Sequence, residues 1–166
     1  MLVIIRGNAC SGKSTVAEKL RTYFKNEKKT AVIHPSTFYW EVVHGDNPKI
    51  VMEILIKILD TYLKNKYDVI LEGSTLSNKI KSKEYYIDKI VKVAKKHNTP
   101  IKQFFFKADF EILKKREKKR KQIPIKKLKY FYDKSNKLNR KQEIVIDNSN
   151  KSIKQVVKEV KKHLKK

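Results

Sequence analysis

Eight residues near the start, Gly7-Asn8-Ala9-Cys10-Ser11-Gly12-Lys13-Ser14, fill the pattern G-x-x-x-x-G-K-[ST] completely. Their setting constrains the fold more than the pattern does. Leu2 to Ile5 is a continuous apolar run, as in a strand buried on both faces of a parallel sheet. From Ser14 onward, Val16, Ala17, Leu20, Tyr23 and Phe24 recur at helical spacing. A glycine loop between a buried strand and a helix turns its N–H groups inward, and the helix start adds the positive end of its dipole. Such a loop cradles phosphate. Gly7 and Gly12 allow the curl, and Asn8, Ala9, Cys10 and Ser11 supply the N–H groups between them. Lys13 reaches the outer phosphates from a position expected to stay open to solvent. Ser14 is placed to offer its hydroxyl to Mg²⁺, and Thr15 to contact the inner phosphate. The expected ligand is ATP or a close relative, with Mg²⁺.

The rest of the chain repeats the alternation of strand and helix. Apolar runs at Thr30 to His34, Tyr67 to Leu71, Ile101 to Phe106 and Glu143 to Ile146 predict four more strands. Stripes through Ile50 to Leu63, Tyr86 to Ala94 and Ile153 to Leu164 predict helices with one apolar face. Ser36 to Pro48 reads as a connection with a partial helix, and Ser77 to Lys83 as a polar loop. Phe110 to Lys121 and Leu128 to Leu138 predict two basic helices around a break at Ile123 to Ile125 that contains Pro124. Five strands alternating with helices imply an α/β fold, a parallel sheet covered on both faces, as one domain over residues 1–166. No apolar stretch approaches the roughly 20 residues of a membrane helix. With a single cysteine and no secretory signal, the expected location is the cytoplasm. Cys10 itself reads as a small loop filler.

Charge is distributed unevenly. Lys and Arg number 41 against 17 Asp and Glu, a net charge of +24. Residues 107–141 hold 15 basic and four acidic residues, whereas residues 1–60 hold nine and six. A lopsided positive field suits a polyanionic ligand. Only five of the basic residues are Arg, and two of them, Arg116 and Arg120, stand four apart on one predicted helix face. Arg presents a planar fork to phosphate that Lys cannot copy, so this pair is expected to clamp transferring phosphate. Glu72 ends the predicted strand Tyr67 to Leu71 and precedes Gly73, where a carboxylate can orient the waters of a phosphate-bound Mg²⁺. Ser14 and Glu72 are the expected metal-side residues, and Lys13, Arg116 and Arg120 the catalytic ones.

Taken together, Arg6-Gly7 leading the loop, Glu72-Gly73, Arg116-x-x-x-Arg120 followed by Ile123-Pro124, and Ile146-Asp147-Asn148 resemble the P-loop kinases grouped around polynucleotide kinase, zeta toxin and chloramphenicol phosphotransferase. The resemblance spans the chain. It implies a three-layer P-loop NTPase fold with a five-stranded parallel sheet, the third strand beside the first, and a helical arginine lid over about residues 114–140. It implies transfer of the γ-phosphoryl group to a hydroxyl, with residues 147–149 near the adenine. The sequence departs from that family after its second strand, where an aspartate is expected and Ser36 stands. His34, Glu41 and Asp46 are the alternative bases. Phe38, Tyr39 and Trp40 either stack on an acceptor base or cover the sheet edge. The leading reading is a kinase with an RNA, DNA or nucleotide acceptor. An antibiotic or metabolite kinase is one alternative, and a nucleotide-dependent switch or ATPase module without acceptor is another.

Overall fold

The computed structural model describes residues 1–24, 29–43, 47–77, 79–81, 84–138 and 140–164. Along the chain come β1 (Leu2–Gly7), α1 (Lys13–Phe24), β2 (Thr30–Ile33), α2 (Pro35–Thr37), α3 (Pro48–Lys64) and β3 (Asp68–Glu72). There follow β4 (Lys79–Lys81), β5 (Glu84–Tyr85), α4 (Tyr86–Lys96), β6 (Ile101–Lys107), α5 (Phe110–Arg120), α6 (Ile125–Lys137), β7 (Ile144–Asp147) and α7 (Ile153–Leu164). Five strands pair in the order β2-β3-β1-β6-β7, and every pairing is parallel. The expected five-stranded α/β sheet, with the third strand beside the first, is present.

All six residues of β1 are buried, which explains the unbroken apolar run. Alternation along a strand sends neighbouring side chains to opposite faces. Leu2 and Ile4 enter a core with Val69, Leu71, Leu55, Leu59 and Ile87 under α3 and α4. Val3 and Ile5 enter the other, with Val16, Leu20, Phe104, Phe106, Val156 and Val160 under α1 and α7. A third, smaller cluster of Cys10, Ala108, Leu113 and Leu128 packs the glycine loop against α5 and α6. The loop and the two basic helices therefore share a core.

Local chemistry sets the element ends. Asn47 caps α3 by accepting from Ile50 N at 3.2 Å, with Pro48 in the first turn. α5 stops at Lys121, whose left-handed φ of 56° ends the helix, and α6 starts directly after Pro124. Residues 77–83, expected as loop, are in part a ribbon: β4 and β5 pair antiparallel, Lys79 opposite Tyr85 and Lys81 opposite Glu84. A two-stranded ribbon satisfies backbone groups without an apolar period, so the sequence carries no signal for it. The connection after β2 is α2 followed by a π-helical turn, Phe38–Val42, closed by Val43 N on Phe38 O at 2.8 Å. Among the described residues, no helix is long and apolar enough to cross a membrane.

Candidate active site

The glycine loop leaves the end of β1 and enters α1 at the carboxyl edge of the sheet, where open α/β sheets bind ligands. Gly7 has φ +137°, and a Cβ there would lie 2.0 Å from the carbonyl oxygen of Phe106 on β6. No other residue fits. Gly12, at φ +83°, and Cys10, at φ 61°, complete the curl with left-handed backbone. Asn8 N donates to Phe106 O at 2.9 Å, and the Asn8 side-chain oxygen accepts from Ala108 N at 3.3 Å, so β6 holds the loop's start. Its amide nitrogen donates to Ser135 Oγ at 2.7 Å on α6.

Lys13 was expected to be open to solvent and is instead buried, 7% exposed, with Nζ donating to its own loop's Asn8 carbonyl at 2.7 Å. The loop wraps its own cation. Burial holds the Lys13 pKa below the usual value, while the Glu72 carboxylate pulls the other way. Ser14 Oγ donates to Glu72 Oε1 at 2.9 Å, and Glu72, 3% exposed, closes β3. Burial works against the Glu72 charge, but bonds from His34 and Ser14 and the charge of Lys13 hold its pKa below the ordinary value. The hydroxyl and carboxylate oxygens of Ser14 and Glu72 suit Mg²⁺, a hard cation that prefers oxygen and completes its shell with water and phosphate. Ser11 Oγ is buried without a hydrogen-bond partner inside the loop. A buried hydroxyl costs free energy until something pairs it, and a phosphate oxygen would. Thr15 is exposed at the start of α1.

The two arginines engage the loop by different routes. Arg120 Nη1 donates to Cys10 Sγ at 3.6 Å, beside the cradle. Arg116 donates to Asn148 Oδ1 at 3.2 Å and to Asn148 O at 2.8 Å. Asn148, buried after β7, in turn donates to the Ser11 carbonyl. Residue 148, expected near the adenine, thus ties loop to lid. Between the arginines sits Glu117, 1% exposed, which accepts from the N–H groups of Gln122 and Ile123 at 2.6 Å each and from the Cys10 thiol at 2.8 Å. Burial opposes the Glu117 charge, but these bonds, helped by Arg120, hold its pKa below the ordinary value. Cys10 is more than filler, since its thiol donates to Glu117 on α5. Burial and Glu117 push that thiol up to about 11.

Arg6, read above only as leading the loop, is fully buried. It pairs with Glu143 through two nitrogens, donates to the carbonyls of Ser135 and Leu138, and lies 4.4 Å over the Phe105 ring. Sequence reasoning missed Glu117, Glu143 and Ser135. An arginine ending a buried strand in a lysine-rich chain was the available signal for a buried partner.

On the acceptor side, Ser36 and Glu41 are exposed. His34 bonds Glu72 Oε1 through Nδ1 at 2.8 Å and Glu18 Oε1 through Nε2 at 2.9 Å. Asp46 lies outside the described residues. The aromatic trio divides: Phe38 and Tyr39 pack on the α3/α4 core, while Trp40 is 72% exposed. The Tyr39 hydroxyl is buried without a partner, and burial pushes its pKa up to about 12.

A phosphate loop at the sheet's carboxyl edge and a helical pair bonded across it define the P-loop kinase class of fold. Within that class the chain belongs to the KTI12 family: the family model described as "Chromatin associated protein KTI12" matches residues 1–166. Among solved structures, the crystal structure of APE1195 is similar at 18% identity and a TM-score of 0.74, over 99% of this chain and 94% of that one. An unliganded sugar kinase from Janibacter sp. HTCC2649 is similar at 17% identity and 0.66, over 98% and 93%. A chain of the Pnkp1/Rnl/Hen1 RNA repair complex is similar at 19% identity and 0.63, over 82% of this chain and 44% of that one. Identities this low speak to fold alone. No curated protein matches the chain.

Proposed function

We propose that this chain is a Mg²⁺- and ATP-dependent phosphotransferase that moves the γ-phosphoryl group to a hydroxyl on a nucleic-acid or nucleotide acceptor. The observation that carries the reading is the convergence of Lys13, Ser14, Glu72 and Arg120 on one loop, under a lid whose outer surface is lysine-rich. In the reaction, the acceptor oxygen bonds to the γ-phosphorus while the bond from that phosphorus to the β–γ bridging oxygen breaks. ADP leaves with the electron pair and the hydroxyl proton is released. The transition state is loose, so positioning and charge neutralisation do most of the catalysis. Loop N–H groups and Lys13 hold the phosphates, and Arg120 swings from Cys10 onto the transferring group. Ser14 and Glu72 would hold Mg²⁺, which when bound would offset phosphate charge.

Lys115, Lys118, Lys119, Lys121, Lys126 and Lys127 are exposed on α5, α6 and the turn between them, the helices that pack on the glycine loop. This favours a polyanion over a small neutral acceptor. Hydrolysis without an acceptor, as an ATPase or switch, is the second reading. It is favoured by Ser36 standing where a kinase aspartate is expected and by His34 being engaged on both ring nitrogens. Incubation with γ-labelled ATP and a panel of RNA, DNA, nucleosides and sugars separates the readings. Label on an oligonucleotide is the expected result. Label on a sugar alone indicates a metabolite kinase, and label only in inorganic phosphate indicates the ATPase.

A further inference from the structure

Four side chains from three elements form a closed chain beside the loop. Ser14 and Glu18 lie four apart and so share one face of α1. β2 pairs with β3 so that Ile33 stands opposite Leu71, which puts the next residues, His34 and Glu72, side by side at the strand ends. Glu72 Oε1 takes both the Ser14 hydroxyl at 2.9 Å and His34 Nδ1 at 2.8 Å, and the far side of the imidazole reaches Glu18 at 2.9 Å. The ring is only 22% exposed, and Glu18, at 51%, is the solvent end of the chain.

We propose that His34, held in place by Glu18, is a positioning residue that aims the Glu72 carboxylate at the metal side of the phosphate site. The inference rests on the reading of Ser14 and Glu72 given under Proposed function. A carboxylate that orients a cation's waters is itself fixed by hydrogen bonds, and such supporting groups govern affinity nearly as strongly as the ligands. The Glu72 side chain turns about three χ angles at the end of a strand, and two bonds on one oxygen fix its carboxylate. The ring that gives one of them would turn about its own χ angles if its other nitrogen were unheld. Glu18 removes that freedom. His34, one of the alternative bases, thereby acts on the cation instead of the acceptor hydroxyl.

The test uses Mn²⁺ as a spectroscopic stand-in for Mg²⁺ and the β,γ-imido analogue of ATP, with free Mn²⁺ followed by electron paramagnetic resonance. His34→Ala and Glu18→Ala are each expected to weaken Mn²⁺ binding in the nucleotide complex roughly 10- to 100-fold. Analogue affinity measured without metal should stay unchanged. The double variant should be no worse than His34→Ala, because both act through one contact. His34→Asn, whose amide can reach Glu72 but cannot span to Glu18, should recover part of the loss and become indifferent to Glu18→Ala. Melting temperatures check that each variant is folded. Unchanged Mn²⁺ affinity in both single variants, or losses that simply add, overturns the inference while leaving the nucleotide site standing. A wild-type chain that binds the analogue but no Mn²⁺ removes the metal role of Ser14 and Glu72, and this inference with it.

Discussion

The two sides of the cleft are built differently. On the nucleotide side, the loop at residues 7–14 is bonded to β6 through Asn8, to α6 through Ser135, to α5 through Cys10 and Glu117, and to the β7–α7 turn through Asn148. On the side after β2, where the proposed acceptor would sit, residues 36–43 form a short helix and a π-helical turn that buries Phe38 and Tyr39 partly and leaves Trp40 in solvent. A ligand common to many proteins rewards a loop tied on several sides, since preorganised donors need little rearrangement during reaction. In the proposed kinase, selection of an acceptor would fall to the exposed side, where side chains can change without disturbing a core.

The largest effect should come from the nucleotide side. Lys13→Met is expected to lower turnover by ~10³-fold or more, the scale of losing a charged donor at the reacting phosphate. The variant should still fold, because relief of a buried cation offsets the lost support to Glu72 and the Asn8 carbonyl. Enzyme assay and thermal melting read the two quantities, and near-normal turnover at saturating ATP would refute the assignment of the loop.

Next comes the contrast within the lid. Arg120→Lys keeps the charge and loses the fork, and a fall in turnover of about 10²- to 10³-fold is expected. Arg116→Lys should cost less turnover and more stability, because Arg116 braces Asn148. Lys119→Arg should do little. Comparable mild effects at all three positions would return α5 to an ordinary solvated helix.

The polyanion-acceptor reading is probed by salt. A strand held through four phosphates gives a log-log slope near ~3, and neutralising Lys126, Lys127 and Lys129 together should remove about 2 of it. ATP binding should not change. A slope near zero for RNA and DNA in the wild type would break the polyanion reading.

The smallest expected effect is on stability against pH. Bonds from Glu72 raise the His34 pKa to about 8 against burial, with Glu18 helping. The folded value lies above the unfolded one, so the stabilisation is complete below pH 6.5 and is lost as pH rises through about 8. It amounts to about 2 kcal/mol at most. Urea unfolding across that window should show the loss, and His34→Asn should abolish it.

How much could be read from sequence follows the same division. The loop is contiguous, so pattern and setting suffice to find it, and the two lid arginines stand out against lysine. The central strands β1 and β3 carry unbroken apolar runs because both of their faces are covered, whereas the edge strands β2 and β7 are buried only in part. Glu117 and Cys10, or Arg6 and Glu143, are more than 100 residues apart and meet only once the lid docks. Nothing in their local pattern reports the meeting. Lys13 was read as solvent-reachable because the motif says what the lysine does with phosphate, whereas its burial depends on the loop closing on itself. His34 was seen as a possible base from its place after β2; its tie to Glu18 needed the α1 face and the β2 end in register.

The buried Arg6 has a mechanical consequence. It grips the carbonyls of Ser135 and Leu138 at the far end of α6, while the other end of that helix meets α5 at the Lys121 to Pro124 turn. Any opening that keeps this grip is a swing about a fixed pivot, never a detachment of the whole arm. The 13 residues of α6 make a lever about 20 Å long, so a rotation of ~15° carries its tip about 5 Å.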